Sequence, residues 1–134
     1  MTRWFADTFY FLALLNPRDA RHAAAVQFSR ANGKSVVTTE WVLTELADGL
    51  ARRETRATFV IVHRGLTADG ATQVITSYAA LWNRGRERYE RRPDKDWSLT
   101  DCISFVVMEE LGLTEALTAD HHFEQAGFVA LLKP

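Results

Sequence analysis

The sequence predicts an α/β protein with a mainly parallel central sheet and helices on both faces. Three observations carry that expectation. Short β-branched or aromatic runs alternate with longer stretches of helical periodicity. Turn-forming residues punctuate the runs, at Asn16-Pro17, Asn32-Gly33, Asp69-Gly70, Arg92-Pro93, Gly112 and Gly127. One stretch, Ser98 to Leu111, is apolar nearly all round, the pattern of a helix covered on every side.

Trp4-Phe5-Ala6 reads as the first strand, and Pro17 ends or turns the helical stretch that follows it. Arg18 to Ala31 reads as a second helix. Ser35-Val36-Val37-Thr38-Thr39 is rich in β-branched residues and reads as the second strand. From Glu40 to Arg53, Val42, Leu43, Leu46 and Leu50 recur at helical spacing, and Arg56 to Arg64 continues as another helix. Gln73-Val74-Ile75 reads as a short third strand, and Ala79 to Arg92 as a helix with a basic end. In the apolar stretch Leu99, Ile103, Val107 and Leu111 stand four apart, with Phe105, Val106 and Met108 on the other faces. Ala116–Ala119 and Val129–Leu132 close the chain as strands. Such alternation needs crossover connections, which build a parallel sheet between two helical layers.

At 134 residues, 47% of them hydrophobic and 25% charged, the chain has the composition of one globular domain, expected to span residues 1–134. Cys102 is the single cysteine, which excludes an internal disulfide and any multi-cysteine metal site. No apolar run is long enough to span a membrane and no leader pattern is present, so a cytoplasmic protein without a membrane partner is expected. A net charge of −1 selects neither nucleic acid nor membrane. Arginines nevertheless cluster at Arg84, Arg86, Arg88, Arg91 and Arg92. Interleaved with Glu87, Glu90, Asp94 and Asp96, the run reads first as a solvated helix face. Arg86 and Arg88 are the candidates for contact with a phosphate backbone.

The chemistry lies in the acids. Ligands of open parallel sheets bind beyond the carboxyl ends of the strands. Asp7 follows the first strand, and Asp120 follows Ala116–Ala119. Glu45 sits one turn into the helix after the second strand, and Asp101 in the first turn of the buried helix. Parallel topology brings all four to one sheet edge and predicts an acidic pocket. Crowded carboxylates raise one another's pKa values, so the pocket needs a counter-charge. Oxygen ligands without a convergent His or Cys set suit Mg²⁺ or Mn²⁺. Asp7 and Asp101 are the expected direct ligands, with Glu45 and Asp120 acting through water or a second ion. This layout suits hydrolysis of a phosphodiester.

Each acid taken alone has a plainer explanation. Ser98-Leu99-Thr100-Asp101 fits a capping box, and Asp7 fits a helix cap. Glu45 fits an exposed partner for Arg52 or Arg53, and Asp120 a turn into His121-His122-Phe123. Their joint placement favours the pocket. Asp48, Asp94, Asp96, Glu109 and Glu110 have no such placement, although Asp96 lies just before the helix carrying Asp101. His121 and His122 read as turn residues, Cys102 as a buried thiol, and Trp82 and Trp97 as less enclosed than Trp4 and Trp41. Gly85 stands alone, so no glycine-rich phosphate loop exists.

Four segments carry a resemblance: Phe5-Ala6-Asp7-Thr8, Thr39 to Leu46, Ser98 to Phe105, and Leu117 to Phe123 leading to Gly127-Phe128. In this order they resemble the PIN-domain ribonucleases, and most of all the VapC toxins of type II toxin–antitoxin pairs. The resemblance implies a PIN-like three-layer α/β/α fold and a metal-dependent endoribonuclease acting on RNA. It also implies Mg²⁺ or Mn²⁺ as cofactor, a homodimer, and an antitoxin partner that covers the active site. The family's acidic set falls on Asp7, Glu45, Asp101 and Asp120, its first and third members being the usual metal ligands. Thr8 and Thr118 match positions whose hydroxyls support those ligands, and the helix of Arg86 and Arg88 would follow the RNA. The alternative is a non-catalytic RNA- or partner-binding module on the same fold, with the acids as caps. A phosphate-accepting role for Asp7 fits less well, because Phe9 stands where a dehalogenase-type site needs a second aspartate.

Overall fold

The computed structural model describes residues 2–134. In chain order the elements are β1 (Thr2–Ala6), α1 (Thr8–Leu15), α2 (His22–Ser29), β2 (Lys34–Thr39), α3 (Glu40–Gly49) and α4 (Arg56–Ala68). They continue with β3 (Thr72–Ile75), α5 (Ala79–Arg91), α6 (Leu99–Glu110), β4 (Glu115–Leu117), α7 (His121–Gln125) and β5 (Val129–Ala130). The five strands form one sheet in the order β3-β2-β1-β4-β5, and every pairing is parallel. The α/β expectation holds.

The order matters for function. From β1 the chain steps outward through β2 to β3, then returns to place β4 on the other side of β1. The β1–β4 boundary is therefore the switch point of the sheet, where parallel sheets open a crevice at their carboxyl ends. Phe5 pairs with Ala116 and Ala6 with Leu117, so Asp7 and Thr118 leave the sheet side by side. Helices α1 to α4 pack among themselves, as do α5 to α7, and an α3–α6 contact joins the two groups.

The strands supply Phe5, Ala6, Val37, Ala116 and Leu117 to the core, and the helices add Phe11, Leu46, Ile103, Phe105, Met108 and Phe123. From Asp101 to Met108 every residue of α6 is buried, as its all-round apolar pattern requires. Gly85 explains how α5 approaches so closely. A Cβ there would stand 2.3 Å from Ile103 Cγ1 and 3.1 Å from Ile103 Cα, so this glycine is a helix-packing residue.

Four sequence expectations need correction. The fourth strand ends at Leu117 rather than Ala119, because the Thr118 N–H turns back to the Ala116 carbonyl at 3.0 Å. The last strand is only Val129–Ala130. His121 to Gln125 is a short helix rather than a turn. Trp97 is buried, packed edge-on against Phe105 with ring centroids 5.1 Å apart, and its Nε1–H donates to Gln125 Oε1 at 3.0 Å. No helix among the described residues is long and apolar enough to cross a membrane.

Candidate active site

Asp7, Glu45, Asp101 and Asp120 come from four separate segments and line one hollow of about 440 Å³ at the carboxyl edge of the sheet. Phe9 and Leu12 form its apolar wall, and Asp96 and His122 also border it. Each acid has an oxygen tethered to the fold by a donor.

Asp7 occupies the N-cap position of α1 in extended backbone, yet its side chain makes no capping bond. Its Oδ2 instead accepts from the buried Thr118 hydroxyl at 2.9 Å. The same Thr118 oxygen accepts from the Asp120 N–H at 3.1 Å, so one side chain ties the β1 and β4 ends together. Thr8, the next residue, donates its hydroxyl to Glu45 Oε1 at 2.5 Å. Glu45 is aimed by α3, whose start is capped by Thr39 accepting from the Val42 N–H at 3.0 Å. An arginine partner for Glu45 is absent among the described ion pairs; Arg52 lies 3.8 Å from Glu54 in a loose exposed ion pair.

Asp101 closes a capping box with Ser98. Its N–H donates to Ser98 Oγ at 2.9 Å, and its Oδ2 accepts from the Ser98 N–H at 3.1 Å. His122 Nδ1 lies 3.1 Å from that same Oδ2. Asp120 caps α7, its Oδ1 accepting from the His122 N–H at 2.9 Å. Asp101 thus serves the helix and the hollow together, so the capping and functional readings coexist.

The electrostatics of the hollow are unbalanced. Burial pushes the Asp7 carboxyl up to about 7 from 3.8, and the charges of Asp101 and Glu45 push the same way. Hydrogen bonds from Thr118 and the Thr8 backbone oppose the rise without cancelling it. Asp101 is also raised, by burial first and by the Asp120 charge, against the Ser98 N–H and His122. Among the described residues no lysine or arginine ion-pairs with any of the four acids; only His121 and His122 approach them. The four crowded carboxylates lack a lysine or arginine counter-charge, and a divalent cation fits their oxygens.

Sequence reasoning missed His122 and Asp96. The two-residue spacing from Asp120 to His122, typical of an Asx cap, was the available signal for the first. Asp96 carried none beyond its proximity to Ser98. Cys102 is fully buried and its thiol is pushed up to about 11, chiefly by burial, as befits an inert core residue. Arg86 bonds Glu90 at 2.7 Å and Arg88 bonds Glu109 at 2.6 Å.

A model of the PIN domain matches residues 5–129. The chain belongs to the PIN-domain family. This PIN-domain chain is 32% identical over 131 residues to VapC20 of Mycobacterium tuberculosis, a 23S rRNA-specific endonuclease, covering 93% of this chain and 95% of the relative. The crystal structure of VapC20, a sarcin–ricin loop cleaving toxin, matches with a TM-score of 0.84 over 93% of this chain and 95% of that one. VapBC2 of Rickettsia felis, bound to a promoter DNA fragment, matches at a TM-score of 0.69 and 11% identity, covering 96% of this chain and 97% of that one. FitAcB of Neisseria gonorrhoeae matches at 0.61 and 18%, covering 94% of each. At those identities the last two speak for the PIN fold alone.

Proposed function

We propose that this chain is a divalent-metal-dependent endoribonuclease, a single PIN-like nuclease domain over residues 1–134, and the toxin of a VapBC-type pair. One observation carries the reading: four carboxylates converge at the sheet's switch point, and among the described residues no lysine or arginine pairs with them. Mg²⁺ or Mn²⁺ suits the oxygen donors, with Asp7 and Asp101 as direct ligands and Glu45 and Asp120 acting through water or a second ion. When bound, such an ion lowers the pKa of water and stabilises the phosphoryl oxygens of an in-line displacement. The protein's part is preorganisation. Thr118 and Thr8 hold Asp7 and Glu45, while Ser98 and His122 hold Asp101, so little side-chain freedom remains to be lost on binding.

The likeness to VapC20 supports RNA as substrate, with structured ribosomal RNA the first to try. It equally supports an antitoxin partner, since VapC20 is a toxin. A homodimer and a cytoplasmic location complete the proposal. The test is cleavage of ribosomal RNA with Mg²⁺, with Mn²⁺ and with chelator. Cleavage is expected only with metal, and Asp7→Ala and Asp101→Ala are each expected to lower it by a factor of about 100 or more, as for lost metal ligands. Undiminished cleavage in both variants overturns the site; RNA binding without any cleavage points to the non-catalytic module.

A further inference from the structure

We propose that Asp120, His121 and His122, together with Asp101, form a binding site for Zn²⁺ that overlaps the acidic pocket. Three ligand-bearing residues stand in a row at the start of α7, and the helical turn folds their donor atoms together. The donors of Asp120, His121 and His122 lie within 4.8 Å of one another. His121 Nδ1 is 3.7 Å and His122 Nδ1 3.4 Å from Asp120 Oδ1. From the other side, Asp101 Oδ2 on α6 lies 3.1 Å from His122 Nδ1. In a tetrahedral zinc site with bonds of about 2.0–2.1 Å, neighbouring donors stand about 3.3 Å apart. The three distances bracket that edge, so Asp120, His121 and His122 can close on an ion with small side-chain adjustments, and Asp101 would join through the oxygen it places beside His122.

Donor chemistry sets this site apart from the carboxylate set. Oxygen-only sites favour hard cations, whereas two imidazoles with carboxylates favour a borderline ion such as zinc. A neutral imidazole places its proton on Nε2 when Nδ1 binds a metal, so no co-reactant is needed. Access is open, because the His121 side chain is 65% exposed while that of His122 is 19% exposed. The other two histidines are engaged elsewhere: His22 Nδ1 bonds the Ala13 carbonyl at 2.9 Å, and His63 stacks on Phe59.

Occupancy would withdraw Asp101 and Asp120 from the hard-cation pocket, making Zn²⁺ a competitive brake on RNA cleavage. That consequence rests on the proposed function; zinc binding itself does not. Calorimetric titration of ZnCl₂ into the metal-stripped chain tests the site directly, with circular dichroism to confirm that each variant folds. One ion per chain is expected, and His121→Ala and His122→Ala should each weaken binding by about tenfold or more. Asp7→Asn lies outside the donor set and should leave zinc affinity unchanged. Absence of saturable binding, unchanged affinity in both histidine variants, or loss of zinc in Asp7→Asn each overturns the proposal. Histidine-dependent zinc binding by a chain that cleaves no RNA supports the site and counts only against the nuclease reading.

Discussion

The acidic hollow and the seam between α5 and α6 treat charge in opposite ways. Along the seam every arginine has a carboxylate close by: Arg84 with Glu110, Arg86 with Glu90, Arg88 with Glu109, Arg91 with Glu87 and Arg92 with Asp94. Arg88 also lies over the Trp97 and Phe105 rings, at 5.8 and 5.4 Å from their centroids. In the hollow, carboxylates face one another with no lysine or arginine partner among the described residues, only His121 and His122. Charge balanced within the chain builds structure; charge left unbalanced in a buried place awaits a ligand. The conspicuous arginine run is paired within the chain, and the inconspicuous scattered acids line the hollow.

The largest expected effect follows from Asp7. Its folded pKa is raised, so its contribution to stability is complete below about 4 and is lost as pH rises through about 7. The metal-free protein should therefore lose on the order of 4 kcal/mol between those limits, and the raised Asp101 adds in the same direction. Melting temperatures should fall across that window, rise again with millimolar Mn²⁺ at pH 7, and respond weakly to both in Asp7→Asn. A wild-type profile flat in pH and in metal would erase the contrast between the two regions.

The next effect sharpens the seam. Gly85→Ala drives a Cβ into Ile103, an overpacking that costs about 1–3 kcal/mol against roughly 1 kcal/mol regained in helix propensity. A net loss of up to about 2 kcal/mol should appear in denaturant unfolding; a raised midpoint would show that the helices slide apart freely. The smallest effect separates two neighbouring arginines. Arg86→Ala removes an exposed i,i+4 pair worth about 0.3–0.5 kcal/mol, whereas Arg88→Ala also strips cover from Trp97 and should cost more. Equal losses would contradict the structural role given to Arg88.

Much of this was legible in the chain itself. The β-branched run before Thr39 and the all-round apolar run to Leu111 have one physical reading each, and both became the expected elements. Asp7, Glu45, Asp101 and Asp120 could be gathered because parallel topology sends strand ends to one edge. What escaped depends on contacts across the fold. Trp97 is enclosed by α6 and α7 neighbours, α7 is too short to show periodicity, and His122 reaches Asp101 only after α7 docks on α6. Gly85 looked incidental because the group it accommodates is 18 residues away at Ile103.

The capping box at Ser98 has an evolutionary corollary. Asp101 closes the capping box of its helix, so a lineage that abandoned catalysis would still be selected to keep Asp or a similar acceptor there. Asp7 caps nothing and burdens the metal-free fold with a buried carboxyl, so it is the first acid that drift should erase. When descendants of this scaffold are sorted into working and retired forms, the residue at position 7 is the better witness than the one at 101.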